Sequence, residues 1–304
     1  ERELYKTIRK KVNNTTKSVE FTRDLEQHAR TYVAILNSDH VFWKKYGENA
    51  RGYVATLNLL RMEQIRPLLL AILANFKQPQ VVKALRLLVS CVVRVLIVGS
   101  RGGTLEKQYA DTAKAVSDGT ITNEKQLRAA LEKLVPANSE FLKAFAVATV
   151  SKNYLARYYL RAIEQYSTPK LPEWVPSEST DDVTLEHVVP KTLSDDWSAF
   201  DEDTHRSYLK RIGNLAIMSA TDNSTSGNEK FSTKKKAYRK SSFQSTKMIA
   251  SQAIWTPTEI ESRQEHLAAL AVKTWRLSGD TRKPAVKKKS DKKKAAKKKT
   301  ARKK

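Results

Sequence analysis

The chain has 304 residues, with 56 Lys and Arg against 32 Asp and Glu for a net charge of +24. That length allows about two domains, and the charge favours a polyanionic partner, nucleic acid before a membrane, since no apolar anchor accompanies it. One cysteine, Cys91, excludes an intrachain disulfide framework and a thiolate-built zinc site. With no secretory signal, a cytoplasmic location is expected.

In chain order, apolar residues recur at helical spacing over 25–36 and 57–76, and Pro67 predicts a kink or break in the second run. Pro79 opens the next helix. Its segment 84–98 is apolar but short and carries Arg86 and Arg94, which reads as a buried helix rather than a membrane span. After a Gly-rich break at 100–103, helices fit 105–116, 123–134, 139–150 and 153–166. The Gly-rich GSRGGT at 99–104 lacks the Gly-Lys-Ser/Thr of a phosphate loop.

Composition shifts at 167–182, where STPKLPEWVPSESTDD reads as a linker or an extended arm. Short β-type runs follow at 183–189 and 211–218, separated by a polar segment with Trp197 and Tyr208 as anchors. A Ser/Thr/Asn/Gly loop comes next, then helices over 229–239 and 258–276. Residues 279–304 hold fourteen Lys or Arg against two Asp, half of the net charge, and read as a disordered tail that would hold DNA electrostatically. The expected architecture is mainly α: a helical bundle or array over 1–175, a small two-strand-and-helix domain over 176–278, and the tail.

Five pieces of the second domain can carry chemistry together: Glu186-His187-Val188-Val189-Pro190, Gly213-Asn214-Leu215, Asn223, Asn228, and Lys234 after Phe231. A histidine beside a phosphate can take a proton from water near neutral pH. A hard divalent cation stabilises the departing oxygen and is satisfied by one carboxylate and one amide oxygen, with water completing its shell. Glu186 and Asn223 are the right types, with Asn228 the rival of Asn223. Lys230, Lys234, Lys235 and Lys236 form either a solvated helix face or a set of phosphate contacts, the second being favoured in a basic domain. His28, His40, His205 and His266 read as non-catalytic, and Trp255 and Trp275 as core.

This run resembles an HNH nuclease of the His-Me finger, or ββα-metal, class. More narrowly, residues 180–277 are similar to the C-terminal nuclease domain of GmrSD-type modification-dependent restriction proteins and their relatives in phosphorothioate-linked phage defence. That group's pattern of EHxxP, GNL, Asn, Asn with Phe and Lys, then Tyr is met by Glu186–Pro190, Gly213–Leu215, Asn223, Asn228-Phe231-Lys234 and Tyr238. The resemblance implies His187 as general base, Glu186 and Asn223 as ligands of one Mg²⁺ or Mn²⁺ ion, and Asn214 as a catalytic-motif residue bracing the His187 loop. It places Lys234 near the phosphates. It also implies a DNA endonuclease of an antiphage restriction system, nicking by default and leaving 5′-phosphate and 3′-hydroxyl ends, on DNA that includes modified phage DNA. The group carries a further N-terminal sensing domain. Because this chain opens on Glu1 rather than Met, it is expected to be a piece from which that domain is missing. The rival expectation is a non-catalytic DNA-binding or sensing module with a degenerate nuclease fold.

Overall fold

The computed structural model describes residues 2–99, 102–168, 183–219 and 228–277. The tail at 279–304, most of the expected linker and the 175/176 boundary lie outside these residues.

Among the described residues, nine helices build the first part: α1 (Arg2–Lys11), α2 (Thr15–Leu36), α3 (Glu48–Leu59), α4 (Arg66–Asn75), α5 (Gln78–Val98), α6 (Gly102–Ser117), α7 (Glu124–Ala130), α8 (Asn138–Phe145) and α9 (Asn153–Ser167). Their starts follow local chemistry. Asn14 accepts the Lys17 N–H at 2.9 Å and Asn123 the Gln126 N–H at 3.1 Å, each satisfying an otherwise orphaned donor of the first turn. The run over 57–76 breaks ahead of Pro67. α3 ends at Leu59, Arg61 takes a left-handed φ of 54°, and Pro67 falls in the first turn of α4, where its missing N–H costs nothing. α8 stops at Phe145, short of the expected 150, because the following backbone is recruited elsewhere. The Val150 N–H donates to Lys210 O at 2.8 Å, and Thr149 bridges Arg211.

The second part holds β1 (Val183–His187), α10 (Glu202–Tyr208), β2 (Leu215–Ser219), α11 (Phe231–Lys240), α12 (Gln244–Lys247) and α13 (Pro257–Thr274). β1 and β2 pair antiparallel with Glu186 opposite Ala216 and His187 opposite Leu215. Because strand side chains alternate, the hairpin serves two cores. Val183, Leu215 and Ile217 join a large cluster that extends through α2–α9 and also takes in Leu267, Ala271 and Trp275. Ala216 and Met218 join a smaller one with Val188, Val189, Trp197, Tyr238, Trp255 and Ile260.

The parts are tied by polar bonds as well. Arg94 of α5 is fully buried and, among the described residues, has no acidic partner. Its guanidinium donates to Trp275 O (2.9 Å), Pro136 O (3.0 Å) and Asn138 Oδ1 (2.7 Å). Gln264 of α13 donates to Phe145 O at 2.8 Å and Ala148 O at 2.9 Å. No helix among the described residues is long and apolar enough to cross a membrane.

Candidate active site

β1 ends at His187, and the chain turns away through Val188-Val189-Pro190, all three buried. What holds this turn is the 3₁₀ segment Ile212–Asn214 at the entry to β2. Asn214 is fully buried, and its amide is saturated. Oδ1 accepts the Val189 N–H (2.9 Å) and the Trp255 indole N–H (3.3 Å), while Nδ2 donates to Val189 O (3.3 Å) and Leu209 O (3.2 Å). Its backbone carbonyl takes the Val188 N–H at 3.0 Å. The segment is clamped from behind by α13. Arg263 Nη1 donates to the carbonyls of Ile212, Gly213 and Leu215 at 3.2, 2.7 and 2.8 Å. Gly213 is required by that close approach, since a Cβ there would lie 2.2 Å from Ile260 O.

Glu186 and His187 leave the strand on opposite faces. Glu186 turns into the second core, where its Oε1 accepts from Lys234 Nζ at 2.6 Å and from the Tyr238 hydroxyl at 3.1 Å. Lys234 Nζ also donates to His187 O at 2.8 Å. Burial pushes the Glu186 carboxyl up and the Lys234 ammonium down. Their mutual attraction works against both shifts, so each maintains the other's charge.

His187 is partly buried on the other face. Burial, reinforced by Lys191, Lys234, His205 and Lys210, pulls its imidazole down to about 4, so the ring is neutral at physiological pH. Lys191 and Lys210 are exposed, one just after the β1 turn and one just before β2. His205, on α10, shares a hydrogen bond of 2.8 Å with Pro190 O and so props the same turn.

The structure thus brings together His187, Glu186, Asn214 and Lys234, and redistributes their roles. Lys234, expected at the phosphates, has a side chain with 0% exposure and is held inside by Glu186. Lys235, expected beside it, gives its ammonium to Gln252 O and lies over the Phe231 ring. Lys230 and Lys236 remain exposed, as does Asn228 ahead of α11. Asn223 lies outside the described residues. Lys191 and Lys210 were not singled out from sequence. They are isolated lysines in loops, and their only signal is that each lies within a few residues of a motif element.

Glu186 does not fit a divalent cation as a ligand: one oxygen already carries two donors, and an ammonium sits where a metal charge would be repelled. Among the described residues, no group of three or more His, Cys, Asp or Glu side chains is arranged to hold a metal ion.

A search of curated proteins gives no match to the chain. Residues 135–270 match the family described as GmrSD restriction endonucleases, C-terminal domain.

Proposed function

We propose that the chain is a DNA endonuclease of the restriction kind, acting in defence against foreign DNA, with an HNH-like site centred on His187. The family match supplies the class of activity, since a restriction endonuclease acts on DNA. The observation that carries the reading is the setting of His187: a neutral imidazole at a strand end, on a turn fixed by Asn214, with exposed Lys191 just after that turn and exposed Lys210 just before β2, both bearing on it electrostatically.

In this reading Lys191 and Lys210 receive the backbone phosphate, with Lys230 and Lys236 on α11 extending the basic surface. The neutral Nε2 or Nδ1 of His187 takes a proton from the attacking water as its oxygen bonds to phosphorus. The bond to the 3′ oxygen breaks and that oxygen takes a proton from solvent water, leaving a 5′-phosphate and a 3′-hydroxyl. A single site of this kind cuts one strand, so the first product from plasmid is the nicked circle. Mg²⁺ or Mn²⁺ remains the proposed cofactor on the resemblance alone, and no step here is assigned to it.

The test is supercoiled plasmid incubated with Mg²⁺, Mn²⁺ or EDTA, wild type beside His187→Ala. Nicking by the wild type and its loss in the variant are expected. Cutting that survives the substitution removes His187 from the mechanism. Binding without cutting under every condition favours the non-catalytic DNA-binding reading.

A further inference from the structure

We infer that Lys234 is a positioning residue for His187, and that Glu186 is its counterion rather than a metal ligand. This deepens the nuclease reading and rests on it for its catalytic part. The geometry centres on one peptide unit, the bond joining His187 to Val188. Its carbonyl oxygen accepts from Lys234 Nζ at 2.8 Å, and its N–H donates to Asn214 O at 3.0 Å. Two separate elements, α11 and the turn before β2, therefore grip opposite edges of the same plane. A peptide unit is rigid, so this double grip sets the direction in which the His187 side chain leaves the backbone.

Lys234 can do this only from inside. It lies on the inward face of α11 with Phe231 and Tyr238, at the i, i+3 and i+7 spacing of a buried stripe. A buried ammonium needs a compensating charge, and Glu186 supplies it from the next residue back along β1. The Tyr238 hydroxyl donates to the same oxygen and fixes the carboxylate. One cation thus holds both neighbours of the motif: the carboxylate of Glu186 and the main chain of His187. A Lys234 spent in this way is not free to meet a phosphate, and a Glu186 spent in this way is not free to meet a metal.

The experiment uses the full chain and four variants, Lys234→Met, Lys234→Arg, Glu186→Gln and the double Glu186→Met/Lys234→Met. Lys234→Met is expected to lower kcat about a hundredfold, the scale of a misplaced catalytic group, with KM for plasmid DNA little changed. Lys234→Arg is expected to recover part of that loss. The slope of log Kd against log salt for a short duplex is expected to stay at the wild-type value. A slope reduced by about 0.9, with raised KM, would instead make Lys234 a phosphate contact and overturn the inference. Unchanged kcat in folded Lys234→Met overturns it as well.

Glu186→Gln is expected to bind Mn²⁺ as the wild type does in calorimetry, and a drop of about tenfold or more would restore Glu186 as a ligand. If Lys234→Met does not fold, the double variant removes both charges together and is expected to fold with the same loss of kcat. A wild type that binds DNA without cutting fails the nuclease reading alone, because the salt slope and Mn²⁺ binding still decide both assignments.

Discussion

Asn214 holds Val189 by both of its backbone groups, accepting its N–H at 2.9 Å and donating to its carbonyl at 3.3 Å. A side-chain amide is well suited to this, having an acceptor and a donor side by side. The residue two places beyond His187 is thereby pinned to the entry of β2. Asn214→Ala would leave the Val189 N–H and the Trp255 indole N–H buried without their acceptor. The expected cost is about 3 kcal/mol in chemical denaturation, with plasmid nicking reduced further than the fraction unfolded explains. A folded variant with wild-type nicking would show that the turn does not govern His187.

Gly213 makes a sharper claim. An alanine methyl there would collide with Ile260 O at 2.2 Å and Gln264 Cβ at 2.9 Å, and α13 would have to move. Gly213→Ala is expected to destabilise by about 3 kcal/mol or more, seen as a large fall in Tm. A fall of only a degree or two would mean that α13 can shift without loss.

The depressed His187 imidazole predicts a pH dependence of stability. Its folded value is about 4 against 6.5 for the free side chain. The unfolded chain therefore binds the proton more readily. The contribution of His187 is complete above 6.5 and is lost as pH falls toward 4. Denaturation curves near pH 7.5 and pH 5 should show a smaller acid-induced loss in His187→Gln than in wild type. Equal losses in the two proteins would mean that the ring is solvated and titrates normally.

The exposed lysines are separable by salt. Lys191→Ala and Lys210→Ala should each weaken duplex binding and lower the salt slope by about 0.9. Lys235→Ala, whose ammonium is already bonded to Gln252 O, should leave the slope unchanged. If Lys235→Ala behaves like the other two, that internal bond does not persist when DNA is present.

The sequence disclosed the elements better than their burial. The expected strands at 183–189 and 211–218 overlap β1 and β2, and the helices expected over 229–239 and 258–276 match α11 and α13 within a few residues. Apolar periodicity and turn residues carry that information locally. Lys234-Lys235-Lys236, by contrast, is a uniform run in which one lysine is internal, one half-internal and one exposed. Only the register against Phe231 and Tyr238 marks Lys234 as inward, and that register counts for little when a lysine is assumed to face water. The end of α8 was not legible either, because it depends on a partner some sixty residues away: Val150 bonds to Lys210. The acceptors for Arg94 are likewise scattered, on Pro136 ahead of α8, on Asn138 at its start and on Trp275 just past α13, with no local sign of the pairing.

Gln264 reaches from α13 to the carbonyls of Phe145 and Ala148, while its side-chain oxygen accepts from the Gly213 N–H at 3.2 Å and Arg211 Nε at 3.0 Å. One amide thus joins the end of α8 to the turn beneath His187. An expression fragment cut just ahead of β1 would leave Gln264 with two idle donors and strip Trp275 and Leu267 of the helices that cover them. Such a fragment is expected to be insoluble, whereas one that starts ahead of α8, near the residue 135 at which the family match begins, keeps those contacts. Anyone trimming this protein for crystals or assays should place the cut by the reach of Gln264 rather than by the proline-rich stretch whose sequence reads as a linker.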